Sequence, residues 1–167
     1  KAIFAEEALR LEEVRREANF DQVTGLPNRN SFMTQLREAL HTEETAFGAC
    51  LIFRLSHLAE INKKHGRIVT DNVIKSIGKI IEKYSKKMHN SLAGRLNGSD
   101  FALLIPHSQP KKIADDLMKE IVKATKKFAD RGEVGSIGMT QYQKGVTLAD
   151  LMNQLDLALT SAISLGQ

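Results

Sequence analysis

The chain has 167 residues, 42% hydrophobic and 26% charged, with a formal net charge of +4; that composition suits one globular domain with a full core and argues against disorder. No apolar run approaches the ~20 residues of a membrane-spanning helix, and the charged, amphipathic N-terminus is unlike a secretory leader. The lone cysteine, Cys50, excludes an internal disulfide, fits a reducing compartment and reads as a buried small hydrophobe.

In chain order, Lys1 to Ala18 predicts a charged helix with a heptad-like stripe of Phe4, Leu11, Val14 and Ala18. It is too short to be a stable coiled coil alone and reads either as the end of a longer signalling helix or as an ordinary N-terminal helix packed on the domain. Gly25 and Pro27 break the chain into a loop over Asp21 to Arg29. Asn28 is placed to cap a helix running to about Leu40. Phe47 to Leu55 predicts a buried strand, Leu58 to Lys64 a short helix ended by Gly66, and Val69 to Met88 a longer helix. Val73, Ile74, Ile77, Ile80, Ile81 and Tyr84 share one face of that last helix.

Ala93 to Pro106 reads as two apolar strands around the turn Asn97-Gly98-Ser99-Asp100, because an Asn-Gly step between apolar runs favours a hairpin. Phe101, Leu103 and Ile105 alternate with Ala102 and Leu104, and both sets are apolar, as in a strand covered on both faces. Pro110 opens a helix to about Ala129, Val134 to Tyr142 is a strand, and Thr147 to Ser164 a final helix. The order β-α-α-β-β-α-β-α predicts an α+β domain with a mainly antiparallel central sheet flanked by helices.

Between Lys63 and Arg95, nine Lys/Arg face only Asp71 and Glu82. That segment reads either as a solvated helix face or as one that attracts phosphates or an acidic protein surface. No aromatic residues interleave with the basic ones, so nucleic acid is not expected. His41, His57, His65, His89 and His107 show no metal-type pairing, and no phosphate-cradling Gly-rich loop is present.

Five segments, in order, resemble the motifs of GGDEF domains, which make cyclic di-GMP from two GTP. Asp21-Gln22-Val23-Thr24-Gly25-Leu26-Pro27-Asn28-Arg29 resembles the opening D-x-L-T-G-L-x-N-R. The stretch from Arg54 to Lys63 lines up with D-[LI]-D-x-F-K-x-[IV]-N-D, and His65 to Asp71 with x-G-H-x-x-G-D. Ser136-Ile137-Gly138-Met139 resembles S-I-G-V, and Leu155 to Leu159 resembles A-D-x-A-L. Residues 1–19 then form a signalling helix and linker, and residues 20–167 the domain.

The resemblance also exposes departures. Asn97, Gly98, Ser99, Asp100 and Phe101 stand where the signature has Gly-Gly-Asp/Glu-Glu-Phe. By this correspondence Arg54 and Ser99 occupy lost metal positions: active members hold two magnesium ions through carboxylates, and Mg²⁺ demands hard oxygen ligands. A guanidinium puts a fixed positive charge where a cation should sit, and the single retained carboxylate, Asp100, cannot hold two ions against two triphosphates. Asn97 replaces a glycine that lets backbone approach the nucleotide, so its side chain is expected to crowd the pocket. The phosphate-binding lysines correspond to Ala59 and Ile163, a C-terminal arginine to Gln167, and the product-inhibition motif R-x-x-D to Met88 through Ser91, where it is absent. Asn62 and Asp71 match the family's guanine-reading pair, a vestigial guanine site or residues reused by the fold.

The resemblance is greatest to the degenerate domain of LapD-type receptors. It implies a catalytically inactive regulatory module, with no catalytic residues and no cofactor, in a membrane-bound cyclic di-GMP receptor controlling biofilm and adhesion. Its implied partners are the EAL domain and signalling helix of the same receptor, with a diguanylate cyclase as a further candidate. It would lie on the cytoplasmic side of a bacterial inner membrane, attached only through upstream segments. The alternatives are a GTP-sensing domain that activates an attached EAL phosphodiesterase, and a CsrD-like regulator of RNA turnover.

Overall fold

The computed structural model describes residues 2–128 and 134–165. Lys1, Gln167 and the expected helix end at Ala129 therefore lie outside the described residues. Six helices, α1 (Ala2–Asn19), α2 (Arg29–Ala39), α3 (Leu58–His65), α4 (Arg67–Lys87), α5 (Pro110–Thr125) and α6 (Leu148–Ser164), accompany four strands, β1 (Phe47–Leu55), β2 (Leu92–Arg95), β3 (Asp100–Pro106) and β4 (Gly135–Gln143). Two short 3-10 turns, Glu43–Thr45 and Lys126–Phe128, complete the described elements. The expected order is met, with an N-terminal helix ahead of an α+β domain. α4 starts at Arg67 rather than Val69, since Gly66, at φ 86°, supplies the break and lets α4 follow α3 directly.

The strands form one sheet in the order β2-β3-β1-β4, and every pairing is antiparallel. Side chains alternate across it. On one face Leu51, Phe53, Phe101, Leu103 and Ile105 meet Val73, Ile77 and Ile81 of α4 and Leu117 and Ile121 of α5. On the other, Cys50, Ile52, Ala102 and Leu104 meet Phe32 and Leu36 of α2 and Leu151, Leu155 and Leu159 of α6. Helices on both faces explain why β1 and β3 read as unbroken apolar runs. Cys50 is fully buried, and burial pushes its thiol up to about 12.

Local signals set the helix ends. The Asn28 side chain accepts a hydrogen bond from the Ser31 N–H, and Thr147 accepts one from Asp150, each satisfying an orphan donor of the first turn. Pro110 occupies the first turn of α5. Gly138 of β4 lies so close to α6 that a Cβ there would meet the Leu159 backbone N at 2.5 Å; only glycine allows that approach.

The α1 stripe is unburied: Phe4, Leu11 and Val14 are 77%, 58% and 55% exposed. Within the domain α1 touches α2. Its end is held by Asn28, whose Nδ2 donates to the Ala18 carbonyl at 2.8 Å and whose N–H donates to Asn19 at 2.9 Å.

Candidate functional site

The signature turn joins β2 to β3. The Leu96 N–H donates to the Asp100 carbonyl at 2.8 Å, closing the ladder. The hairpin is as expected, but its turn is not the left-handed kind that Asn-Gly usually forms: neither Asn97 nor Gly98 has a positive φ. The Asn97 side chain holds the turn instead. Its Oδ1 accepts from the Ser99 and Asp100 N–H groups, both at 3.0 Å, and its Nδ2 donates to Asp100 Oδ2 at 3.0 Å. The amide is thus committed to its own turn, as Asx motifs commonly are.

Register brings Arg54 of β1 opposite Asp100 of β3, the carboxylate of the signature turn. The guanidinium donates from Nε to Oδ1 at 2.7 Å and from Nη2 to Oδ2 at 2.9 Å, the bidentate geometry that makes arginine–carboxylate pairs strong. Ser99 Oγ adds a longer contact to Oδ1 at 3.3 Å. With Asn97, four donors converge on one carboxylate, which fills its lone-pair directions. Asp100 is 5% exposed. Burial alone would raise its pKa, but the hydrogen bonds from Arg54, Asn97 and Ser99 and the Arg54 charge outweigh that and hold it below the usual 3.8.

This donor set does not suit magnesium. The carboxylate is occupied, its neighbour is a cation, and Ser99 is a neutral oxygen spent on the turn. Among the described residues no group of three or more His, Cys, Asp or Glu side chains could hold a metal ion.

A second ion pair, which sequence reasoning missed, links the opening motif to the hairpin. Asp21 Oδ2 accepts from the Thr24 N–H and hydroxyl, both at 2.8 Å, and Arg95 Nη1 reaches both Asp21 oxygens at 3.1 Å. Arg95 also donates to the Asn97 and Gly98 carbonyls at 3.1 and 2.9 Å, and its N–H donates to Pro27 at 2.9 Å. One guanidinium thereby ties the loop after α1 to the signature turn. Burial would raise the Asp21 pKa, yet the Thr24 and Arg95 hydrogen bonds leave it lowered from 3.8.

The remaining positions lie apart from this network. Asn62 is exposed on α3 and Asp71 half-buried on α4. The Asn62 backbone carbonyl accepts from the Gly66 N–H at 2.9 Å, and the Thr70 hydroxyl donates to the Gly66 carbonyl at 2.9 Å in the first turn of α4. Ala59 is exposed and Ile163 is 45% exposed; neither offers a phosphate a charge. Phe101 carries no polar role and is fully buried.

Both carboxylates have depressed native pKa values, so the unfolded chain binds protons first as pH falls. Their stabilisation is complete above the ordinary carboxylate range and is lost as pH drops below about 4 through the native values. Melting temperature measured against pH should fall off there, and Asp100→Asn should flatten part of that decline. An unchanged acid profile in that variant would contradict the pairing.

The family model for the diguanylate cyclase GGDEF domain matches residues 18–167. The chain is 27% identical over 165 residues to the diguanylate cyclase VdcA of Vibrio cholerae, covering 94% of this chain and 48% of that protein, so it spans about half of that relative's length. The coiled coil and GGDEF domain of DgcB from Caulobacter crescentus, crystallised with c-di-GMP, has a TM-score of 0.79 at 24% identity, covering 99% of this chain and 91% of that one. The S helix-GGDEF-EAL structure of Vibrio cholerae LapD has a TM-score of 0.74 at 22% identity, covering 98% of this chain and 38% of that one. With its antiparallel sheet, helical layers and signature hairpin, this chain belongs to the GGDEF family.

Proposed function

We propose that this domain is catalytically silent and serves as a regulatory, protein-interacting module of a membrane-bound cyclic di-GMP receptor of the LapD type. In that role it acts in adhesion and biofilm signalling from the cytoplasmic side of the inner membrane. Its partners are the EAL domain and signalling helix of the same receptor, with a diguanylate cyclase as a further partner. The bidentate Arg54–Asp100 pair carries this reading. A guanidinium then stands at the position that corresponds to the first metal ligand and consumes the remaining acid of the signature, leaving no free carboxylate there to hold a metal ion that would lower the pKa of an attacking hydroxyl. The joint through Asp21 and Arg95 gives the hairpin a structural use: it relays the position of α1 to the domain.

Incubation with GTP and Mg²⁺ or Mn²⁺ should yield no cyclic di-GMP above a no-enzyme control; product above that control would overturn the proposal. A second reading, GTP sensing, draws on the exposure of Asn62 and the partial exposure of Asp71. It makes a separate demand, because a ligand at ~100 times its Kd stabilises a protein by about 2.7 kcal/mol. GTP with Mg²⁺ should leave the melting temperature unchanged if the first reading holds, and a rise that Asn62→Ala abolishes would establish the second.

A further inference from the structure

Charge in this chain is segregated. Residues 58–128 hold fifteen of its 24 Lys/Arg and seven of its 20 Asp/Glu, so the rest of the molecule is net acidic. The excess is carried largely by α4 and α5, which lie side by side on one face of the sheet. Their apolar stripes point inward, so their polar faces turn to the same side. Lys75, Lys79, Lys119, Lys123 and Lys126 are all exposed there. Lys83 bridges the two helices through Glu120, and Lys86 pairs with Glu82; Lys75, Lys79, Lys119 and Lys123 form no ion pair with any described residue.

Two further features narrow the partner. Beyond Arg67, every cation of α4 and α5 is lysine. Lysine is a flexible point charge, without the planar fork by which arginine reads one carboxylate or phosphate. The lysines are spread along two helices, the longer of 21 residues, about 30 Å. Along α5, Met118 and Val122 floor an open groove walled by Lys119, Lys123, Lys126 and one acid, Asp115, and Val122 is 43% exposed. A broad anionic plane with hydrocarbon just beneath it meets both features: diffuse charge for the lysine heads, apolar depth for Val122 and the lysine stems. An acidic protein surface would answer the charge and leave the apolar floor unexplained.

We propose that the α4–α5 face is a peripheral docking surface for anionic phospholipid, oriented by the acidic remainder of the domain. This does not depend on whether the domain is catalytic. The probe is a vesicle of phosphatidylcholine with or without phosphatidylglycerol. The chain should sediment only with the anionic vesicles and be released by about 0.5 M salt, since screening shortens the reach of surface charge. Each lysine near such a surface contributes about fivefold in binding, so Lys75→Glu, Lys79→Glu, Lys119→Glu and Lys123→Glu together should weaken binding at least ~100-fold. The same charge change at Arg10, Arg15, Arg16 and Arg37, which are exposed elsewhere, should weaken it far less. The four lysines changed to Gln provide the test if the Glu variant does not fold. The chain has no Trp, so Val122→Trp supplies a single reporter whose emission should shift blue on anionic vesicles. The proposal is overturned by equal binding to neutral vesicles, by equal loss in the two charge-changed variants, by an unshifted Trp on bound vesicles, or by binding to polyglutamate but not to lipid.

Discussion

Phe101→Ala is expected to destabilise this domain by about 3–5 kcal/mol, the range for truncating a buried phenylalanine. Phe101 is the first core residue after the signature turn. It is wholly buried, pairs in register with Phe53 and lies 6.4 Å from that ring, centroid to centroid. The Arg95 guanidinium lies 6.0 Å from the Phe101 ring centre, so the side chain also supports the arginine that ties the hairpin to Asp21. β3 is buried along its whole length, and the void would open at the centre of the sheet, where neighbours cannot collapse freely. At about 2–4 °C per kcal/mol for a chain of this size, the melting temperature should drop by roughly 10 °C. Phe4→Ala, at a phenylalanine 77% exposed on α1, should stay within about 0.5 kcal/mol. Equal melting temperatures for the two variants would contradict the burial of β3.

Arg54→Asp combined with Ser99→Glu puts carboxylates at the two positions proposed to have lost metal ligands. It is expected to give no cyclic di-GMP and to cost stability. Arg54 is the principal partner of a carboxylate whose side chain is only 7% exposed. Removing one member of a buried pair typically costs 3–5 kcal/mol. The Arg54 side chain is itself 42% exposed, which admits solvent and places the loss near the low end, about 3 kcal/mol. Two added acids beside Asp100 then repel it and one another and raise its pKa. Ala59 and Ile163 still offer no charge to phosphate, so the metal positions alone do not rebuild a triphosphate site. Melting curves and product assays on the double variant test both halves. Cyclase activity would show that the lost acids alone account for the silence, and unchanged stability would show that the Arg54–Asp100 pair contributes little.

The amino-acid order by itself determined the elements, their sequence and the family. Apolar periodicity marks α4 and α6, unbroken apolar runs mark β1 and β3, and Asn28 and Thr147 announce helix starts; each is a local pattern whose physics is complete within a few residues. Local patterning also located the hairpin, although the turn conformation depended on where the Asn97 amide found its bonds. Only the tertiary structure decided what the altered positions do. From sequence, Arg54 was a charge that repels metal and Asp100 a leftover ligand. Strand register joins them across 46 residues into a closed pair, and the same folding carries Arg95 to Asp21 across 74. No spacing rule encodes such partners, because they follow from which strands pair and how the loops return. The exposure of the α1 stripe and the shared lysine face of α4 and α5 were likewise undecided in sequence: an amphipathic helix declares that one face seeks cover, and only packing shows which face obtains it.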